Sequence, residues 1–119
     1  MADTKLRHGG CHCGKVRYEV ETDLARVMQC NCSICSKKGL LLSFVTPDKF
    51  KLVSGQDDLH DYQFNKHVIH HLACTNCGVE SFARGIAPGG KEMIALNVRC
   101  LDGVDLDALK VRKFDGASL

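Results

Sequence analysis

The chain has 119 residues, eight cysteines, no tryptophan and an aromatic fraction of 6%. That length fits one domain, residues 1–119, whose apolar core alone is marginal, so cross-links by disulfide or metal are expected to add stability. A formal net charge of +2 excludes a strongly basic protein, and no apolar run approaches the about 18 residues of a membrane-spanning helix.

In chain order the sequence reads as short strands and turns. The N-terminal "MADTKLRHGGCHCG" has no apolar stretch of the signal-peptide kind. A reducing, cytoplasmic setting is therefore expected, where clustered cysteines read as metal ligands. "KVRYEVE" alternates, with Val16, Tyr18 and Val20 on one face and Arg17, Glu19 and Glu21 on the other. "QCNCSICSKK" reads as a tight cysteine loop, and "LLLSFV" as a more buried strand ended by Pro47 and Asp48. "DKFKLVSG" is a weaker strand closed by Gly55; "LHDYQF" and "KHVIHHLAC" are neighbours around a turn at Asn65. "VESFARG" follows, then the turn "PGGKE" and the strand "MIALNVRC", with Ile94, Leu96, Val98 and Cys100 on one face. Cys100 accordingly reads as an ordinary buried cysteine. The one helix signal is "DGVDLDALKV", where Asp105 caps a turn containing Leu106 and Leu109. The expected fold is a small, mainly antiparallel all-β domain with its cysteines at turns.

The cysteines divide by spacing. Cys74-x-x-Cys77-Gly78 has the spacing of a zinc knuckle, and Cys11-x-Cys13-Gly14 repeats it more tightly. Gly9, Gly10 and Gly14 ease the turn that brings Cys11 and Cys13 together. Two such pairs make a four-thiolate set, and joining them closes a long loop, where a metal clip stabilises most. The competing reading, redox dithiols or disulfides, requires awkward bridges between near neighbours. Cys30, Cys32 and Cys35 can direct three thiolates at one point. Their fourth ligand stays open among Cys100, His67, His70, His71, a water and a substrate sulfur. Four thiolates on one zinc and three on another would take the net charge from +2 to about −1. That sum gives no support to a nucleic-acid partner.

The ordered segments "GGCHCGKVRYEV", "CNCSICSKKG", "CTNCG" and "NVRCLDG" resemble the family of glutathione-dependent formaldehyde-activating enzymes and their centromere-protein-V-like relatives. The resemblance runs from His8 to about Gly116. It implies an all-β, β-tent (Mss4-like) fold with two zinc ions. One, structural, corresponds to Cys11, Cys13, Cys74 and Cys77; the other corresponds to Cys30, Cys32 and Cys35, with a position that a glutathione sulfur can occupy. It also implies a carbon–sulfur lyase with glutathione as co-substrate, reversibly forming S-hydroxymethylglutathione from formaldehyde. Asn31 stands where many enzyme-like members carry histidine, and "CNCSIC" followed by "KKG" leans toward the centromere-protein-V-like branch.

Three thiolates make an electron-rich zinc site, better suited to holding a sulfur ligand than to polarising a carbonyl. Cys30, Cys32 and Cys35 are thus the expected catalytic centre, taking a small thiol and an aldehyde as substrates. Glutathione is anionic, and Lys37, Lys38 and Arg84 are the cations expected to bind it; the plainer reading of each is solvated surface. The alternative function is a non-enzymatic zinc-binding module for protein or nucleic-acid interaction, and a redox protein stands third.

Overall fold

The structure, a computed structural model, describes residues 4–63, 69–86 and 89–115. Strands β1 (Lys5–Gly10), β2 (Arg17–Thr22), β3 (Val27–Cys30), β4 (Leu41–Val45) and β5 (Phe50–Ser54) come first. They are followed by β6 (Leu59–Tyr62), β7 (His70–Cys74), β8 (Glu80–Ile86), β9 (Glu92–Asn97) and β10 (Val111–Phe114). A three-stranded sheet runs β1-β2-β5 and a seven-stranded sheet runs β10-β3-β4-β9-β8-β7-β6. The pairings are antiparallel except β10 with β3, which is parallel. No helix among the described residues is long and apolar enough to cross a membrane.

The alternation in β2 fixes how the sheets meet. Val16, Tyr18 and Val20 are buried, while Glu21 is exposed, as a period of two requires. The buried face packs against Val27, Leu41, Phe82, Ile94 and Leu96 of the larger sheet. At its centre Tyr18, Phe50 and Phe82 stack with ring centroids 4.8–5.8 Å apart. The Tyr18 hydroxyl donates to the Ser81 carbonyl at 3.1 Å, so this deeply buried phenol keeps a polar partner. Gly10 lies within β1, where a Cβ would sit 2.1 Å from the Val16 carbonyl oxygen. Its role is close strand approach; the turn itself is made at Gly14, at φ +85°.

Several expectations need correction. The cysteine segment read as a loop contains the one α-helix among the described residues, α1 (Ser33–Lys38). Six residues are too few to display a helical period. The helix is instead ended by Gly39 in the left-handed region and held by burial of Cys35. The helix signal near Asp105 is a single 3-10 turn, Leu106–Ala108, with the Asp105 side chain accepting from the Asp107 N–H as its cap. β9 ends at Asn97, whose side chain accepts from the Arg99 N–H at 3.2 Å, and the chain turns through Val98–Cys100. Cys100 therefore leaves the strand alternation and is only half-buried. β1, β3 and β10 were not anticipated. The turn at Asn65 lies outside the described residues.

Phe82 links both ring partners, so Phe82→Ala should cost about 3–5 kcal/mol. Denaturant unfolding of the zinc-loaded protein measures this, and a loss below 1 kcal/mol would contradict the packing described.

Candidate metal centres and thiol site

The two glycine-flanked cysteine pairs fold alike. The Cys11 N–H donates to the Val16 carbonyl at 3.0 Å, and the Cys74 N–H donates to the Val79 carbonyl at the same distance. Each bond closes a short loop that ends one strand and starts the next. Gly78 has φ +80°, matching Gly14 after the other pair. The loops face each other: Cys11 Sγ is 3.6 Å from Cys13 Sγ, and Cys13 Sγ is 3.7 Å from Cys74 Sγ. With Cys77, all four Sγ atoms lie within 4.8 Å of one another. A zinc–sulfur distance of about 2.3 Å implies a tetrahedral sulfur–sulfur edge of about 3.8 Å, which these spacings match. A disulfide would need about 2.05 Å, and all the described cysteines are free thiols. Backbone N–H groups of Val79 and Cys13 pull the Cys77 thiol down to about 6, the direction that favours metal ligation.

The second group is less complete. Cys30 ends β3, Cys32 caps α1 and Cys35 lies inside the helix. The Cys32 N–H donates to Cys30 Sγ at 3.4 Å, and the three Sγ atoms lie within 4.8 Å of one another. Leu40 and Leu42 complete their buried cluster, with Met28, Ile34 and Ala95 packed against it. Burial, then hydrogen bonding with Cys32, pushes the Cys35 thiol up. Burial also opposes the Cys32 thiolate, but hydrogen bonds from the backbone of Cys35 and from the neighbouring thiols outweigh it and hold that thiol low. The thiols thus conflict over their protons, and a shared divalent cation would resolve the conflict by taking all of them as thiolates.

Among the described residues, no fourth Cys, His, Asp or Glu donor joins this set. His70 Nδ1 sits 2.7 Å from Asp61 Oδ2, and His71 Nδ1 sits 3.4 Å from Glu80 Oε2. Cys100 Sγ points to the Glu80 carbonyl at 3.9 Å. His67 lies outside the described residues.

The expected cations do not form one cradle. Lys38 Nζ donates to Glu80 Oε1 at 2.6 Å. Arg84 Nε lies 3.6 Å from Glu92 Oε1, and the register sets Arg84 beside Ile94, on the core face of the sheet. The opposite face, carrying Ala83 and Ala95, is the one packed on the three thiols. Two grooves flank α1. One, about 390 Å³, is lined by Cys30, Cys35 and Asn31 together with Lys113, Phe114 and Asp115. The other, about 480 Å³, takes Lys37 and Lys38 with His60 and Tyr62.

Sequence reasoning passed over Glu80. Its side chain is 3% exposed and accepts from Lys38, with His71 on its other oxygen. Burial pushes its carboxyl up, but the hydrogen bonds from His71 and Lys38 outweigh this and hold it below the usual range. A lone acid opening a strand that is buried over its first four residues, "ESFA", is the signal that marks it.

The profile of the glutathione-dependent formaldehyde-activating enzyme family matches residues 6–113. The chain belongs to this family. It is also similar to a solved Rhodobacter sphaeroides protein, a structural-genomics target. That protein is 30% identical, with 90% of this chain and 99% of the other covered, at a TM-score of 0.80. The open sheets, short helical turns and cysteine groups make this a small β-tent, Mss4-like family member. Membership and the two thiol groups together support a glutathione-dependent formaldehyde-activating function with a lyase-like catalytic role.

The two groups should separate by mutation. Wild type is expected to hold two zinc ions. Cys74→Ser should abolish the folded state, whereas Cys32→Ser should keep the far-UV circular dichroism spectrum and lose one zinc by elemental analysis. Loss of fold in both would remove the distinction. Glu80→Gln leaves Lys38 without its buried counter-charge and should cost about 2–3 kcal/mol, read by denaturant midpoint; an unchanged midpoint would show the pair to be idle.

Proposed function

We propose that this protein reversibly joins glutathione to formaldehyde, or to another small aldehyde, at the three-cysteine centre, and that it works in a reducing, cytoplasmic setting. The observation that carries the reading is the convergence of Cys30, Cys32 and Cys35 within 4.8 Å beside a groove, with no fourth side-chain donor among the described residues. Cys11, Cys13, Cys74 and Cys77 would hold a structural zinc, and Cys30, Cys32 and Cys35 a second. Bound there, zinc would keep a substrate sulfur deprotonated at neutral pH.

In the forward direction the glutathione sulfur forms a bond to the aldehyde carbon. The carbonyl π electrons move to oxygen, which takes a proton from solvent, and the product is an S-hydroxyalkyl thioether. The reverse breaks that carbon–sulfur bond. The chain's own contribution is to fix three thiols where the end of β3 meets the start of α1, to wall the groove with apolar Leu40 and Phe114, and to hold the adduct's partners together. Of the expected cations, Lys37 is exposed on the other flank of α1, away from the Cys30 groove, while Lys38 and Arg84 pair with Glu80 and Glu92.

Two-dimensional NMR exchange between formaldehyde and S-hydroxymethylglutathione tests the reading. Zinc-loaded wild type should accelerate exchange in proportion to its concentration, and Cys32→Ser should not. If no aldehyde in a panel shows protein-dependent exchange, the chain acts instead as a binding module.

A further inference from the structure

The groove beside Cys30 and Cys35 owes its outer wall to the C-terminal strand. β10 lies parallel to β3 with Phe114 opposite Cys30. Asn31, set between two of the thiols, ties that strand down twice. Its backbone N–H donates to the Phe114 carbonyl at 3.1 Å, and its Nδ2 donates to Asp115 Oδ1 at 2.9 Å. Asn31 is therefore occupied with holding the strand end, a role apart from metal ligation.

That strand end brings charge of both signs to the groove. Lys113 and Asp115 both line it, on either side of Phe114. Positions two apart on an extended chain turn to the same side. Lys113 is exposed and makes no ion pair among the described residues. A carboxylate accepts several hydrogen bonds, and the bond from Asn31 orients Asp115 at the groove. A volume of about 390 Å³ falls in the range of about 300–1,000 Å³ usual for small-ligand sites. An ammonium donor and a carboxylate acceptor side by side suit a ligand end carrying both charges on one carbon. The γ-glutamyl end of glutathione is such a group, and its thiol lies at a distance along the same tripeptide.

We propose that Lys113 and Asp115 select the thiol substrate by its dipolar γ-glutamyl end, Lys113 meeting the carboxylate and Asp115 the ammonium. Asn31 is the positioning residue that holds Asp115 over the groove. The inference rests on the reaction proposed above, but its contacts can be read without it.

S-methylglutathione, whose sulfur is blocked, is titrated into zinc-loaded protein and followed by NMR shifts. Lys113→Gln and Asp115→Asn should each weaken binding about tenfold, as loss of a charge-assisted contact predicts, with zinc content retained. Asp115→Asn keeps an acceptor for Asn31, so its effect reports the charge rather than the strand. Asn31→Ala should weaken binding in the wild-type background and add little in the Asp115→Asn background. In the exchange assay, the kcat/KM ratio of glutathione to N-acetylcysteinylglycine, which lacks the dipolar end, should fall about tenfold in Lys113→Gln. Unchanged S-methylglutathione affinity in both charge variants overturns the inference, whether or not exchange occurs. Absent exchange in wild type overturns only the reaction, because the titration reads the contacts by themselves.

Discussion

The fold depends on one joint, the convergence of Cys11, Cys13, Cys74 and Cys77. Cys13 and Cys74 lie 61 positions apart and their sulfurs are 3.7 Å apart. Cross-linking a loop of that length removes about 4 kcal/mol of freedom from the unfolded chain on a chain-entropy view. Small domains have net stabilities of about 5–15 kcal/mol, so the clip is comparable with the whole margin. It also fixes geometry. One knuckle connects two strands of the smaller sheet, and the other connects β7 to β8 of the larger one. Holding the knuckles together holds the sheets at the spacing where Tyr18, Phe50 and Phe82 stack.

The three-thiol group obeys the opposite logic. Cys30 to Cys35 spans one short stretch, so a cation there would close almost no loop and would stabilise the fold little. Its geometry must come from its surroundings. Gly39 stops the helix, with its N–H on the Cys35 carbonyl at 2.9 Å, and Lys38 anchors that end to Glu80. Glu80 opens the strand that follows the second knuckle, so the structural joint places the residue that places α1. A buried ion pair gives weak net stability, because desolvation offsets attraction. As a positioning device it is well suited, since misplacing α1 would leave the buried Glu80 carboxylate with His71 but without its lysine counter-charge.

Residues whose neighbours are close along the chain were the legible ones. The β2 alternation and the two knuckles followed from periodicity and spacing, and the pairing of the knuckles, though 61 positions apart, followed from the four ligands a structural zinc takes. The gathering of Cys30, Cys32 and Cys35 followed from spacing as well. What escaped depends on distant partners. α1 is too short to show a period and exists because Cys35 and Ile34 find a buried cluster on the sheet. β10 is exposed throughout and is defined only by its parallel pairing to β3. Cys100 kept the phase of β9 on paper, but the Asn97 side chain ends that strand locally.

The cations show why nearness in sequence misleads about a site. Lys37 and Lys38 come two and three positions after the third thiol, yet a helix turns successive side chains by about 100°. That rotation sends them to the groove on the far side of α1, where Lys38 is committed to Glu80. Arg84 follows the second knuckle, yet strand alternation puts it on the face turned away from α1. Lys113 is remote from every cysteine in sequence and reaches the Cys30 groove because a parallel strand carries it there. With two thiolate-bound zinc ions the chain would carry a formal charge of about −1, so the field of the whole molecule would not draw in an anionic thiol. Recognition then falls to local pairs of opposite charge, and among the residues lining that groove Lys113 and Asp115 are such a pair.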